Sequence, residues 1–162
     1  MWKQLTQRAR KAIFLAQQEA ERLGYNHVGS EHLLLALLRE EDCVAARILE
    51  RLGLDLGTVR LEVMSHISRG SDHLGEDMQL APDAKHAIDF AFNEVTEMKD
   101  DWVGTEHLLI GLVHEAGGMA SKVLTKLGVD LNLVRSHLRH LKAGTLPFEV
   151  VRENGHVSVP AT

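Results

Sequence analysis

The 162-residue sequence contains one cysteine, few aromatic residues and no surplus of positive charge. A lone cysteine, Cys43, excludes an internal disulfide framework and a zinc site with several thiolate ligands. The formal net charge of −5 leaves no basic surface for a nucleic acid backbone. The first residues never form the apolar run of a secretory leader, so none is expected, and no apolar run reaches the roughly 20 residues that span a membrane. We therefore expect a soluble, cytoplasmic protein that binds neither nucleic acid nor membrane.

Aromatic residues make up only 4% of the chain, and alanine and leucine dominate its apolar positions. This composition favours close helix-on-helix packing over a sheet core. Ala36 and Gly111 hold equivalent positions in predicted helices, and small residues there let a neighbouring helix approach closely. The composition therefore predicts an all-α fold.

The chain is an internal duplication. Sliding it against itself by 75 residues aligns Leu5–His66 with Leu80–Leu141 without a gap, and 22 of these 62 positions are identical. Two copies are fewer than a solenoid usually needs, so we expect one domain, residues 1–142, with pseudo-twofold symmetry. The polar segment 67–79 is the predicted connector between the repeats.

Each repeat has the periodicity of four helices, which gives eight in total. Apolar residues recur every three or four positions in the first helix, from Leu5 and from Leu80. The third helices are predicted at about 44–52 and 119–127, and Gly53 and Gly128 then serve as left-handed stops. The residues after these glycines, Asp55 and Asp130, are suited to begin the fourth helices as caps or first-turn acids.

The C-terminal extension, residues 143–162, departs from the repeat. The strand-like stretches FEVVR and HVSV flank Glu153–Gly155, and Asn-Gly between alternating apolar residues predicts a β-hairpin.

A hydroxyl-Glu-His triplet opens the second helix of each repeat, in VGSEHLLLALL and VGTEHLLIGLV. Ser30 and Thr105 are placed to cap these helices, a contribution of about 1 kcal/mol each. Glu31 and Glu106 fall in the first turn, where the helix dipole favours an anion. Capping and common descent account for the triplet without any ligand, so architecture and recognition both remain open.

The repeated motifs resemble the Clp N-terminal repeat domain of unfoldases such as ClpC and ClpA. The resemblance rests on the two triplets, on LTQRA and LAPDA at the start of the first helices, and on LGLDL and LGVDL before the fourth. It covers about residues 5–141. It implies a non-enzymatic module of a Clp chaperone-protease system that recognises substrates or adaptor proteins. The alternative is an assembly accessory that docks on a Clp ring and contacts no substrate.

In ClpC-type domains the glutamate of each triplet holds the guanidinium of a phosphorylated arginine, and the phosphate lies at the start of the repeat's first helix. The resemblance therefore implies ligand-binding roles for residues of both repeats: Glu31, Glu106, Thr6, Arg10, Lys85, Ser30, Thr105 and Trp102. The first repeat keeps a hydroxyl and arginines at its helix start. The second has Ala81, Pro82 and Asp83 there, and Asp83 opposes a phosphate, so we expect the first site to be the stronger. Trp102 either lines a peptide groove or closes the core.

Other chemistry finds little support in the sequence. The ten histidines include no metal-binding motif with assured spacing, so no metal or cofactor is expected. Cys43 lacks an activating motif and is predicted to be a buried structural thiol. His32 and His107 are expected to form hydrogen bonds near the helix starts, with a pH switch as the alternative. No GxxxxGK[ST] motif occurs, so the chain is either a stand-alone accessory or the docking head of a larger machine.

Overall fold

The computed structural model describes residues 4–72, 78–143, 150–151 and 157–158. Within them the chain forms the expected two sets of four helices, which confirms the all-α prediction. The first set comprises α1 (Gln7–Arg22), α2 (Ser30–Arg39), α3 (Val44–Arg51) and α4 (Leu56–Ser65). The second comprises α5 (Pro82–Glu97), α6 (Thr105–His114), α7 (Met119–Lys126) and α8 (Leu131–Ala143).

The helix stops are those the sequence predicts. Gly53 and Gly128 have φ angles of 92° and 86°, the left-handed region that favours glycine. Asp130 caps α8, because its Oδ1 accepts from the Leu133 N–H at 2.9 Å. Asp55 is the N-cap residue of α4, although its carboxylate accepts from the Thr58 hydroxyl rather than from a backbone N–H.

The second helix of each repeat forms the centre of the core. Residues 32–38 of α2 and 107–113 of α6 are all buried. A helix that is apolar on every side has to be covered on every side. α1 covers α2 and α5 covers α6, while α3 packs on α6 and α7 on α2. Each third helix therefore packs on the second helix of the other repeat, α7 in addition to its own α6, and we call this crossing the exchange between the repeats.

Short backbone pairings also cross between the repeats. β1 (His27–Val28), which precedes α2, pairs in parallel with β2 (Gln79–Leu80), which precedes α5. The matching contact in the other half is a bridge between Leu5 and Val103, with the Thr6 N–H donating to the Val103 carbonyl at 3.0 Å. These pairings place the start of each first helix beside the start of the other repeat's second helix.

Gly111 permits the close approach of α6 and α5. A Cβ atom at this position would lie 2.0 Å from the Ala87 carbonyl oxygen, far inside van der Waals contact. The structure thus confirms that a small residue serves packing here.

A buried ion pair joins the first and fourth helices of each repeat. Glu19 is fully buried on α1, and its Oε1 lies 3.5 Å from the guanidinium groups of both Arg39 and Arg60. The equivalent Glu94 on α5 pairs with Arg135 on α8, with Nε and Oε2 3.3 Å apart. A buried carboxylate requires such partners, because removing one from a buried pair costs about 3–5 kcal/mol.

The connector and the tail are described in part. Residues 67–72 run back across the end of α1, where the Gly70 N–H donates to the Leu23 carbonyl at 2.7 Å. Residues 73–77 of the predicted connector lie outside the described residues. In the tail, β3 (Val150–Val151) pairs antiparallel with β4 (Val157–Ser158), as the hairpin prediction requires. The intervening predicted turn lies outside the described residues.

Candidate functional site

The triplet histidines are structural acceptors at the starts of α2 and α6. The Gly29 N–H donates to His32 Nδ1, and the Gly104 N–H donates to His107 Nδ1, each at 2.9 Å. Both imidazoles are buried, and burial lowers the pKa of His32 from 6.5 to about 4. Burial also lowers the pKa of His107, against the opposing effect of Asp100. The expected hydrogen-bonding role is confirmed.

The triplet hydroxyls do not cap their own helices, so that prediction is wrong. Gly29 and Gly104 are the N-cap residues, and Ser30 and Thr105 are already the first helical residues. Their hydroxyls reach across the molecule instead. Ser30 Oγ accepts from the Ala120 N–H of α7, and Thr105 Oγ1 accepts from the Ala45 N–H of α3, each at 3.2 Å. Each hydroxyl therefore satisfies a first-turn donor of the third helix that the other repeat contributes.

Because of this exchange, three helix starts meet at each of two places. The Glu31 site consists of the starts of α2, α5 and α7, and the Glu106 site of the starts of α6, α1 and α3. The expectation that each glutamate shares its site with the first helix of its own repeat is wrong, because the structure places it beside the first helix of the other repeat. Thr6 and Arg10 consequently belong with Glu106, and Lys85 belongs with Glu31.

In the Glu31 site, the Glu31 side chain is 18% exposed and folds back over Gly29. A Cβ atom at position 29 would lie 1.8 Å from Glu31 Oε1, so the glycine makes room for the carboxylate. Among the described residues, this buried oxygen accepts no hydrogen bond. Burial, with a smaller contribution from the charge of Asp83, raises the pKa of Glu31. The site therefore holds a partly buried carboxylate whose charged form is disfavoured, and a cationic group would stabilise that charge.

The Glu106 site has the opposite balance of charge at its first-helix start. Thr6 caps α1, its hydroxyl accepting from the Ala9 N–H at 3.1 Å. Arg8 forms a two-pronged pair with Asp42, which precedes α3, and this contact lowers the pKa of Asp42 to about 2. Glu106 itself is 14% exposed. The start of α1 with its arginines and the partly exposed Glu106 carboxylate are thus brought together by the Leu5–Val103 bridge.

The remaining predicted residues lie on the rims. Arg10 and Lys85 are exposed, each one turn into its helix, on α1 and α5 respectively. Trp102 is 54% exposed next to Val103, so the alternative that it closes the core is wrong. Cys43 is buried, as expected, and its Sγ accepts from the Ala46 N–H at 3.4 Å as the cap of α3.

Asp42 is a residue of the Glu106 site that the sequence did not predict. Asp42 has no acidic counterpart, since Gly117 is its equivalent, and so the duplication gave no signal for it. Within the described ranges, no group of three or more histidine, cysteine or acidic residues is arranged to hold a metal ion. No helix in the described part of the chain has the length and apolar character needed to cross a membrane.

The chain matches the sequence profile of the Clp repeat (R) N-terminal domain twice, over residues 4–116 and 101–157. It is 42% identical over 141 residues to the negative regulator of genetic competence ClpC/MecB of Bacillus subtilis, which covers 87% of this chain and 17% of the relative. The chain spans less than a fifth of the length of the curated relatives it matches.

Solved structures share this fold. The N-terminal domain of the caseinolytic protease associated chaperone ClpD from Arabidopsis thaliana is 27% identical, with a TM-score of 0.68 over 88% of this chain and 97% of that one. A ClpV N-domain solved in complex with a VipB peptide is 16% identical, with a TM-score of 0.71 over 84% of this chain and 85% of that one. The chain therefore belongs to the Clp repeat N-terminal domain family.

Proposed function

We propose that this Clp N-terminal repeat domain is a non-enzymatic recognition module that presents substrate or adaptor segments to a Clp unfoldase. The family membership supports this role, and a domain of the same fold has been solved with a bound peptide. In the same proposal, the preferred ligand is a segment carrying a phosphorylated arginine, and the Glu106 site binds it more tightly than the Glu31 site does.

The observation that carries the proposal is the meeting of two complementary elements in the Glu106 site. The start of α1 supplies first-turn N–H groups and the positive end of a helix dipole, which suit a phosphoryl group. Glu106 lies in the first turn of α6, next to the start of α1, and offers a carboxylate for guanidinium N–H donors. Arg10, exposed one turn into α1, adds positive charge beside the phosphoryl position, whereas the charge of Arg8 is balanced by Asp42. Phosphoarginine carries both complementary groups, whereas phosphoserine and arginine each carry one.

Trp102 provides an additional surface beside the Glu106 site for the rest of a bound peptide. Trp102 is exposed immediately before Val103, whose backbone joins α1 to α6 in this site. An exposed indole there offers apolar contact to the residues flanking a phosphoarginine. The Glu106 site is therefore suited to a segment rather than to a free amino acid alone.

Peptide binding measured by fluorescence polarisation tests the proposal. One peptide is prepared with arginine, with phosphoarginine and with phosphoserine at its central position. We expect the phosphoarginine form to bind the wild type most tightly, and Glu106→Gln to weaken that binding by at least about tenfold, as for the loss of a hydrogen bond to a charged group. The matched control is Glu21→Gln, an exposed glutamate in the last turn of α1.

Equal or absent binding of the three peptides would remove the phosphoarginine proposal. The assembly-accessory alternative has its own test, because it requires co-purification with a Clp ring in the absence of any substrate. Co-purification that is unaffected by Glu106→Gln, together with no peptide binding, would replace the recognition role by that alternative.

A further inference from the structure

The two sites differ in one residue that reverses the charge at the first-helix start. Asp83 on α5 is equivalent to Arg8 on α1. Asp83 Oδ2 accepts from the Ser30 hydroxyl at 2.7 Å and lies 3.3 Å from the Ser30 backbone nitrogen, the first donor of α2. Its other oxygen, Oδ1, accepts from the Ala84 N–H at 2.8 Å. The Asp83 carboxylate thus uses donors of two helix starts.

The start of α7 lies against the same hydrogen bond between Ser30 and Asp83. The Ser30 hydroxyl donates to Asp83 and accepts from the Ala120 N–H of α7. Gly118, the N-cap residue of α7, lies directly against the pair: a Cβ atom there would be 2.8 Å from Ser30 Oγ and 3.3 Å from Asp83 Oδ2. The positive ends of three helix dipoles therefore surround one internal carboxylate.

In the Glu106 site, an arginine replaces the carboxylate at the centre of this arrangement. Arg8 is turned to Asp42, and Cys43 stands where Gly118 lies in the other half. Common descent therefore does not account for the contact of Asp83 with Ser30. It is a feature of one half, and it places a fixed negative charge close enough to Glu31 to raise the pKa of that glutamate.

We infer that Asp83 determines the specificity of the Glu31 site, acting as an internal anion that takes the helix-start position a phosphoryl group would need. This inference rests on the proposed function and sharpens it. A phosphoryl group entering the Glu31 site would meet Asp83 and Glu31 as like charges, and it would have to displace Asp83 from the Ser30 donors. The domain accordingly accepts one phosphoarginine per chain, at the Glu106 site.

Isothermal titration calorimetry with phosphoarginine measures this stoichiometry. The Asp83→Asn variant keeps an acceptor oxygen and removes the charge, and Asp83→Arg recreates the residue of the other half. The matched control is Asp89→Asn, further along α5. Backbone amide NMR shifts of Ser30 and Thr105 report which site is filled, and thermal melts identify any variant that fails to fold.

We expect one bound ligand for the wild type and for Asp89→Asn, with shifts at Thr105. Asp83→Arg is expected to bind a second ligand, with shifts at Ser30, and Asp83→Asn to bind it more weakly. Two equivalent ligands on the wild type, or folded Asp83 variants that gain no second ligand, would overturn the inference and leave the proposed function standing. A wild type that binds none, beside an Asp83→Arg variant that binds at Ser30, would support the inference while contradicting the proposed Glu106 site. No binding by any protein would overturn both.

Discussion

The buried capping histidine of the first repeat makes the domain sensitive to mild acid. His32 accepts the Gly29 N–H through Nδ1 and therefore has to be neutral at that atom. Its pKa falls from 6.5 to about 4 on folding. Below pH 6.5, His32 is protonated in the unfolded chain but stays neutral in the folded chain. The free energy of unfolding therefore decreases as the pH falls from about 6.5 towards 4.

The size of the effect follows from the two pKa values. One pKa unit corresponds to about 1.4 kcal/mol, so the loss reaches about 2 kcal/mol at pH 5 and about 3 kcal/mol at pH 4. The lowered pKa of Asp42 removes stability only below about 3.8. The pKa values of His107 and His137 are lowered as well, and that of Glu31 is raised, so these groups also contribute between pH 7 and 5. The contribution of His32 is therefore the difference between the wild type and a variant in which only His32 is replaced.

Urea unfolding at pH 7 and pH 5 measures this difference. His32→Asn retains an acceptor near the Nδ1 position but cannot titrate, and His86→Asn is the exposed control on α5. We expect the wild type and His86→Asn to lose about 2 kcal/mol more than His32→Asn does over this interval. An equal loss in all three proteins would refute the reasoning.

Three further predictions concern single contacts, each measured by urea unfolding at pH 7. Glu31→Gln should stabilise the domain, because it removes a charge whose pKa burial raises; a destabilised variant would show that the carboxylate has a strong internal partner. Gly111→Ala should destabilise by about 2 kcal/mol, since its Cβ would meet the Ala87 carbonyl at 2.0 Å, and an unchanged midpoint would mean that α5 and α6 separate freely. Arg135→Met should lower the free energy of unfolding by about 3 kcal/mol, because it removes the arginine paired with Glu94. Arg60→Met should lower it by less, because Glu19 still pairs with Arg22 and Arg39. Equal losses in the two variants would contradict this assignment of the ion pairs.

Much of the fold is predictable because the duplication repeats the local signals. Helix periodicity and the glycines at 53 and 128 locate the third helices to within one residue of their ends, and the first helices begin two residues after the predicted Leu5 and Leu80. These signals are local, since a glycine stop or an apolar stripe acts on its own helix. The buried Glu19–Arg60 pair was also accessible in principle, because both residues recur at Glu94 and Arg135 among the identical positions.

The site itself was predictable only in part, because the exchange between repeats leaves no local signal. An apolar helix has to be covered, but periodicity does not say which repeat supplies the covering helix. Ser30 and Thr105 carry the usual cap residue types, yet their hydroxyls serve Ala120 and Ala45 of the opposite repeat. Reading each repeat as a self-contained unit therefore paired each glutamate and each hydroxyl with the wrong helices.

The Glu31 and Glu106 sites are each assembled from both repeats. Double-mutant cycles on the affinity for a phosphoarginine peptide test it most directly, using Thr6→Ala with Glu106→Gln and Thr6→Ala with Glu31→Gln. We predict a coupling of about 0.5 kcal/mol or more between Thr6 and Glu106, which belong to different repeats, and additive effects for Thr6 and Glu31. Coupling between Thr6 and Glu31, with additivity between Thr6 and Glu106, would contradict the account.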